Sequence, residues 1–258
     1  MSSRDAMRAL DDPSAVADLV QSAQVILWDG RHPHVQPFAS RDQLPLAQMH
    51  PVRRIGTYHG ARSRFAYHPT EFDGHRHLVL AESLLECSWM QQLDRRPEHW
   101  GYLGQALWVT WRLGERQITH VPDIVGQDVD GHQWIVDVRH TQGMNTRTGV
   151  VMDVLMRATC IASGIDYQLF NDLNPQRRRN LEFLSTMRWR RRVEDTTWWP
   201  TVIERKPKQF VDLAAAAGGG PFGRNRALHV IAQCHVDIDL DLPITSTTDL
   251  RWRLSDGE

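Results

Sequence analysis

Two carboxylates set in apolar runs are the residues of this sequence best suited to chemistry. Asp123 lies in His120-Val121-Pro122-Asp123-Ile124-Val125, and Asp137 in Trp134-Ile135-Val136-Asp137-Val138-Arg139. The two runs read as the arms of a β-hairpin. A carboxylate amid apolar residues costs folding energy unless a cation or hydrogen bonds offset it. Held on adjacent antiparallel strands and facing one side of the sheet near its edge, such a pair is suited to a divalent metal. Magnesium held by carboxylates activates a water, grips a phosphate and neutralises transition-state charge, which is what phosphodiester hydrolysis needs. The main-chain carbonyl of Val138 is a further candidate oxygen. Arg139 shares the face of Asp137 by the strand period and can contact the phosphate or the developing charge.

Glu86, on a helix upstream, is the candidate third carboxylate. Its competing reading is structural: Ser83-Leu84-Leu85-Glu86 is also a capping box, in which the Glu side chain serves the Ser83 backbone. Glu82 precedes the cap and is expected to face solvent. Asp123, after Pro122, can be a strand-end turn residue, and Asp137 a surface residue of an alternating strand. Their joint occurrence on consecutive strands, with a basic residue two positions after the second, favours function. His32, His34, His75 and His77 read as surface histidines, because no Cys or carboxylate cluster accompanies them. There is no Gly-rich phosphate loop or nucleophile elbow.

These residues need elements to position them. A helical pattern from Pro13 to Leu27, with Val16, Leu19, Val20 and Ala23 on one side, opens a segment 1–52 that is expected to be an arm or a cap. Short strands are expected between Arg53 and Leu80, around Phe65-Ala66-Tyr67 and His77-Leu78-Val79-Leu80. Ser83 opens a helix in which Leu85, Trp89 and Leu93 recur at four-residue spacing, ended by Pro97. Period-two alternation predicts strands over Gln105–Leu113, Gln117–Gly126 and Gln133–Arg139, joined by turns at Gly114-Glu115 and Asp128–Gly131. A helix follows over Arg147–Ser163, with Val150, Val151, Val154, Leu155, Ala158 and Ile161 on its buried side and Gly164 past its end. Ile165–Phe170 is a fourth strand, and Asn174–Arg192 a helix. Helices at Lys208–Ala217 and Arg226–Cys234, separated by Gly218-Gly219-Gly220-Pro221, precede two paired strands, Val236–Leu242 and Thr248–Leu254, a winged-helix-like arrangement.

At 258 residues and 41% hydrophobic content the chain can bury a sizeable core. It carries no apolar run of membrane-spanning length and no basic-then-apolar N-terminus, so it is expected to be soluble and cytoplasmic. Cys87, Cys160 and Cys234 are widely spaced and odd in number; they read as reduced core residues rather than a disulfide or zinc framework. Trp89, Trp108, Trp111 and Trp134 fall at core-compatible positions. The net charge is only −1, so affinity for nucleic acid has to come from local patches. Arg177-Arg178-Arg179 and Arg188-Trp189-Arg190-Arg191-Arg192 form one. It is either the solvated face of a helix or a strip that tracks phosphates, with Arg188, Arg190, Arg191 and Arg192 as DNA contacts.

The order helix, three strands, helix, strand resembles the shared αβββαβ core of the restriction-endonuclease-like fold, a mixed sheet flanked by helices. Ser83-x-x-Glu86, then Gln105, then Pro122-Asp123, then Asp137-Val138-Arg139 together resemble TnsA-like endonucleases, the subunits of heteromeric Tn-type transposases that nick DNA at transposon ends. The likeness is nearest to the actinobacterial type, spans residues 53–192, and extends more loosely to the C-terminal module. It implies a nuclease domain (53–193) and a C-terminal winged-helix-like partner-binding module (194–258), which leaves 1–52 as the N-terminal arm or cap. It further implies a magnesium site at Glu86, Asp123, Asp137 and Val138, with manganese expected to substitute. The implied partners are double-stranded DNA, an integrase-type transposase and an AAA+ ATPase regulator. Asp137 stands where the wider superfamily has Glu or Gln. Arg139 stands where it has Lys, and because a guanidinium keeps its proton, Arg139 is limited to charge stabilisation and phosphate positioning. Two alternatives stay open: a catalytically weak or inactive DNA-binding or assembly protein of the same fold, and a restriction or defence nuclease.

Overall fold

The computed structural model describes residues 12–38, 44–52, 66–72, 75–144, 146–188 and 197–253. The chain divides into two units, Met1–Asp172 and Leu173–Glu258. The elements of the first are α1 (Pro13–Gln21), β1 (Gln24–Trp28), β2 (Pro33–Pro37), a 3-10 turn (Leu46–Gln48), β3 (Ala66–Phe72), β4 (His75–Ala81), α2 (Leu84–Leu93), β5 (His99–Gly104), β6 (Leu107–Leu113), β7 (Arg116–His120), β8 (Ile124–Asp128), β9 (Gln133–Val138), α3 (Thr141–Met144), α4 (Arg147–Ser163) and β10 (Asp166–Phe170).

They form an α/β structure with two four-stranded sheets and a separate β3–β4 ribbon. The main sheet has the order β10-β9-β8-β5. β5 and β9 run antiparallel to β8 (Gly104↔Ile124, Ile124↔Val136), whereas β10 runs parallel to β9 (Val138↔Phe170), with α4 as the crossover helix that a parallel pair requires. Alternation along β8 and β9 sends side chains to opposite faces. Ile124, Trp134 and Val136 pack with Leu85, Met90 and Leu93 of α2. Val125 and Ile135 join Leu155, Met156 and Cys160 of α4. The second sheet has the order β2-β1-β6-β7 and shares that latter core through Val25, Leu27, Leu107, Val109 and Trp111.

The expected strand Gln117–Gly126 is two strands in two different sheets, β7 and β8, parted at Val121-Pro122-Asp123. Pro122 offers no N–H to a ladder and biases the residue before it toward extended backbone, so a continuous central strand breaks there. The outward passage lies alongside. The chain leaves the main sheet after β5 at Gln105 (φ +52°), and the Gln105 N–H donates to the Asp123 carbonyl at 3.1 Å. The β6–β7 hairpin is thus an excursion that departs from and returns to one point of the main sheet. Strand β5 was not expected, because Gly101 and Gly104 hide its period. A Cβ at Gly104 would stand 2.4 Å from the Leu80 carbonyl, so that glycine serves a close backbone approach.

Three further expectations are corrected. The helix foreseen over Pro13–Leu27 ends at Gln21, and the rest is β1, an interior strand paired with β6 (Gln24↔Thr110). Leu19, Ala23, Val25, Leu27, Phe38, Leu44, Leu46 and Met49 belong to the core that holds Leu155, so the stretch expected as an arm or cap is integral to the first unit. Helix α4 has the expected bounds, with Gly164 in the left-handed region closing it (φ +68°), but its buried stripe is Val151, Leu155, Met156, Thr159 and Cys160. Val150 and Ile161 are exposed, because two overlapping apolar stripes fit the same helical period.

The second unit contains α5 (Pro175–Arg188), α6 (Trp199–Arg205), α7 (Phe210–Ala216), α8 (Gly220–Ala232), β11 (Val236–Asp237) and β12 (Arg251–Trp252). Leu181 and Leu184 of α5 share a core with Val202, Phe210, Leu213, Leu228, Ile231 and Val236. Arg177 grips Asp241 with two hydrogen bonds, at 2.9 and 2.7 Å. The boundary therefore falls at 172/173 rather than at 193/194, and α5 goes with the C-terminal unit. Helix α8 begins at Gly220, earlier than expected, and at Gly223 a Cβ would meet the Ala214 carbonyl at 2.2 Å, so α7 and α8 cross closely. The expected wing is a pairing of only two residues per strand, Val236↔Trp252 and Asp237↔Arg251.

Candidate active site

Asp123 sits at the return point of the excursion, immediately before β8. The Ile124↔Val136 register, continued by one residue, sets it opposite Asp137 at the ends of two interior strands, not at the sheet edge. Its Oδ2 accepts from the Val138 N–H at 2.7 Å and its Oδ1 from Gln105 Nε2 at 3.2 Å. Val138, expected to offer its carbonyl, is thus seen as a backbone donor to Asp123.

Asp137 is the last residue but one of β9 and is 0% exposed. His120, at the end of β7 in the second sheet, presents Nε2 to both carboxylate oxygens at 2.9 and 2.8 Å, and the Tyr167 hydroxyl of β10 donates to Oδ2 at 2.8 Å. Facing a carboxylate, His120 Nε2 carries the hydrogen. The Arg139 guanidinium lies 3.8 Å from Asp137 Oδ2, on the face expected for it. Burial first and the Asp137 charge second push the Tyr167 hydroxyl and the Cys160 thiol well above their ordinary ranges, so Tyr167 remains a donor.

Glu86 lies in the first turn of α2 and is 6% exposed. The capping reading is realised with a different partner: the Glu86 N–H donates to Ser83 Oγ at 3.1 Å, the Ser83 hydroxyl donates to Oε1 at 2.8 Å, and Oε2 takes the Glu82 N–H at 2.7 Å. This does not remove Glu86 from the carboxylate group, because its charge reaches Asp123. Burial, then Glu86, then Asp137 raise the Asp123 carboxyl well above the usual carboxylate range, against the lowering by the Val138 N–H and Gln105. Three acidic groups from α2, the β7–β8 link and β9 therefore act on one another at one place.

The donor chemistry suits a hard cation: oxygen only, with mutual repulsion that a positive charge would relieve. Gln105 adds to it. It is 1% exposed, and its Oε1 is a buried acceptor with no hydrogen-bond partner among the described residues. As the side chains stand, Glu86 and Asp137 each have both oxygens engaged by internal donors. No group of three or more His, Cys, Asp or Glu among the described residues is arranged to hold a metal ion.

Sequence reasoning missed His120, Tyr167 and the structural part of Gln105. His120 had a signal, standing three residues before Asp123 and just ahead of a proline break. Tyr167 had none, since its approach depends on the parallel pairing of β10 with β9. Arg139 has a made seat: a Cβ on Gly149, in the first turn of α4, would lie 3.0 Å from Arg139 Nη1. The histidine pairs keep to the surface, with His34 bonded to Asp29 at 2.7 Å. Of the proposed DNA-contacting arginines, Arg188 is a half-buried residue ending α5, and its carbonyl accepts from Gln233 Nε2. Arg190, Arg191 and Arg192 lie outside the described residues.

Compared with protein-family models and with curated proteins, the chain finds no match in either. No helix among the described residues is long and apolar enough to cross a membrane.

Proposed function

We propose that this protein is a metal-dependent DNA endonuclease, the TnsA-like subunit of a heteromeric transposase that nicks DNA at transposon ends. The observation that carries the reading is the meeting of Glu86, Asp123 and Asp137, with the Asp123 carboxyl raised by burial first and by the charges of the other two next. The order α2-β5-β8-β9-α4-β10 and the sheet order β10-β9-β8-β5 support a restriction-endonuclease-like core into which the β6–β7 hairpin is inserted. The helices α7 and α8 and the short β11–β12 pair support a winged-helix-like module for partner contacts.

In this reading Glu86, Asp123 and Asp137 hold magnesium, with Val138 contributing its carbonyl and manganese able to substitute. Bound there, the ion supplies a polarised water and charge neutralisation at the phosphate. The chain's own residues do the rest. Gln105 and the Val138 N–H orient Asp123; His120 and Tyr167 orient Asp137; Arg139, permanently charged, steadies the phosphate. Duplex DNA, an integrase-type transposase and an AAA+ ATPase are the partners this function needs.

A nicking assay on supercoiled plasmid carrying the transposon ends, with magnesium or manganese and the partner proteins present, tests the proposal. Wild type is expected to nick, and Asp123→Ala to lose at least about a hundredfold in rate. Equal, undetectable nicking by both would sink the enzyme reading. A second reading, an assembly protein that keeps the fold without cleavage, draws on the full engagement of Asp137 by His120 and Tyr167 and on Arg139 at the place of the usual Lys. That reading predicts DNA and partner binding without nicking.

A further inference from the structure

Among buried polar groups beside the carboxylates, one is not accounted for by hydrogen bonding. Gln105 holds Asp123 three ways: its Nε2 donates to Oδ1 at 3.2 Å, its backbone N–H donates to the Asp123 carbonyl at 3.1 Å, and its position fixes the outward passage beside the return passage. Its own carbonyl accepts from the Val52 N–H at 2.8 Å. Only Oε1 is left, buried and with no partner among the described residues. Because Nε2 of the same amide touches Asp123, Oε1 lies beside that carboxylate by covalent geometry. The backbone does not require this side chain: at φ +52° glycine or asparagine fits better. An apolar side chain would fill the space without stranding an acceptor.

We propose that Gln105 is a positioning residue and neutral oxygen ligand of the site, anchoring Asp123 through Nε2 and offering Oε1 to a hydrated divalent cation. The inference rests on the metal-dependent reading above. It has a charge logic: in a cluster whose carboxylates already repel one another, an amide adds a hard oxygen without adding a fourth negative charge.

Manganese binding to the full chain, followed by the electron paramagnetic resonance of free Mn²⁺, provides a readout independent of nicking. Wild type is expected to bind, Asp123→Asn to lose binding, and Gln105→Met to bind about tenfold or more weakly, with an unfolding midpoint no lower than wild type. If Gln105→Met does not fold, Gln105→Asn serves: it suits positive φ but withdraws the oxygen by one methylene, and must show the same loss. Wild-type affinity in either folded variant, alongside loss in Asp123→Asn, overturns the role of Gln105 alone. Absence of binding in wild type overturns that role together with the metal reading.

Discussion

The first unit builds one trio of side chains twice, and the two copies do different work. His68, Asp94 and Tyr102 meet where the β3–β4 ribbon packs on α2 and β5: His68 Nε2 lies 2.8 Å from Asp94 Oδ2, while Thr70 Oγ1 and the Tyr102 hydroxyl reach Oδ1 at 3.0 and 2.8 Å. His120, Asp137 and Tyr167 meet at the ends of β7, β9 and β10 with nearly the same distances. The first trio is sealed, with His68 at 1% exposure. The second opens to solvent at His120 (15%), adjoins the guanidinium of Arg139, and sets its charge against Asp123. Residue types and distances alone therefore do not make a site. Unrelieved charge beside a path to solvent separates the second trio from the first, and the sealed trio is expected to contribute more to stability.

The largest effect that can break this comparison is on stability. Asp94→Ala takes the carboxylate from buried His68 and Thr70, while the Tyr102 hydroxyl keeps the Met90 carbonyl at 3.2 Å, and is expected to cost about 3 kcal/mol in urea unfolding. Asp137→Ala is expected to cost only about 1 kcal/mol, because relief of repulsion at Asp123 offsets the lost bonds. Equal losses would show that the trios are energetically alike. Next comes Gly149→Ala, whose Cβ would stand 2.6 Å from the Gly143 carbonyl and 3.0 Å from Arg139 Nη1. About 1–2 kcal/mol of destabilisation is expected from that overpacking, with weakened DNA binding as Arg139 is displaced. An unchanged binding isotherm would remove Arg139 from the phosphate contacts.

A pH effect of smaller size sharpens the contrast. The Asp123 carboxyl is raised in the folded chain, so its cost to stability is full above the folded pKa and is relieved as pH falls toward the ordinary value of 3.8. Wild type should therefore gain stability relative to Asp123→Asn as pH is lowered through that window, as read by unfolding titrations at successive pH values. A constant difference across the window would mean that burial and the neighbouring carboxylates do not raise the Asp123 carboxyl in the folded chain. Smallest of all, His132→Ala removes an exposed contact to Asp166 at 3.0 Å and is expected to change stability by under about 0.5 kcal/mol.

How much of this was legible in the sequence depended on range. Arg147–Ser163 announced itself through its apolar recurrence and Gly164 at its end, and the β8–β9 hairpin through alternation around Asp128–Gly131, because both are local patterns. The opposition of Asp123 to Asp137 followed from that hairpin. The passage from β7 to β8 did not, since period-two alternation says which face a residue takes and nothing about which sheet the strand joins. Pro122 was the available hint. Tyr167 reached Asp137 only through a crossover helix, a pairing no local pattern encodes. The N-terminal segment went unplaced for the same reason: its partner, Thr110, is far along the chain from Gln24.

That last pairing bears on how the protein can be handled. Strand β1 covers one side of β6, and β7 the other. A chain trimmed to begin at residue 53 would strip β6 of its neighbour and leave a row of unpaired N–H and C=O groups along the stretch from Leu107 to Thr110. Such a bare apolar edge recruits strands from other molecules. The fragment expected to be the minimal nuclease would, by this geometry, aggregate, whereas one that keeps residue 12 onward retains its own edge protection.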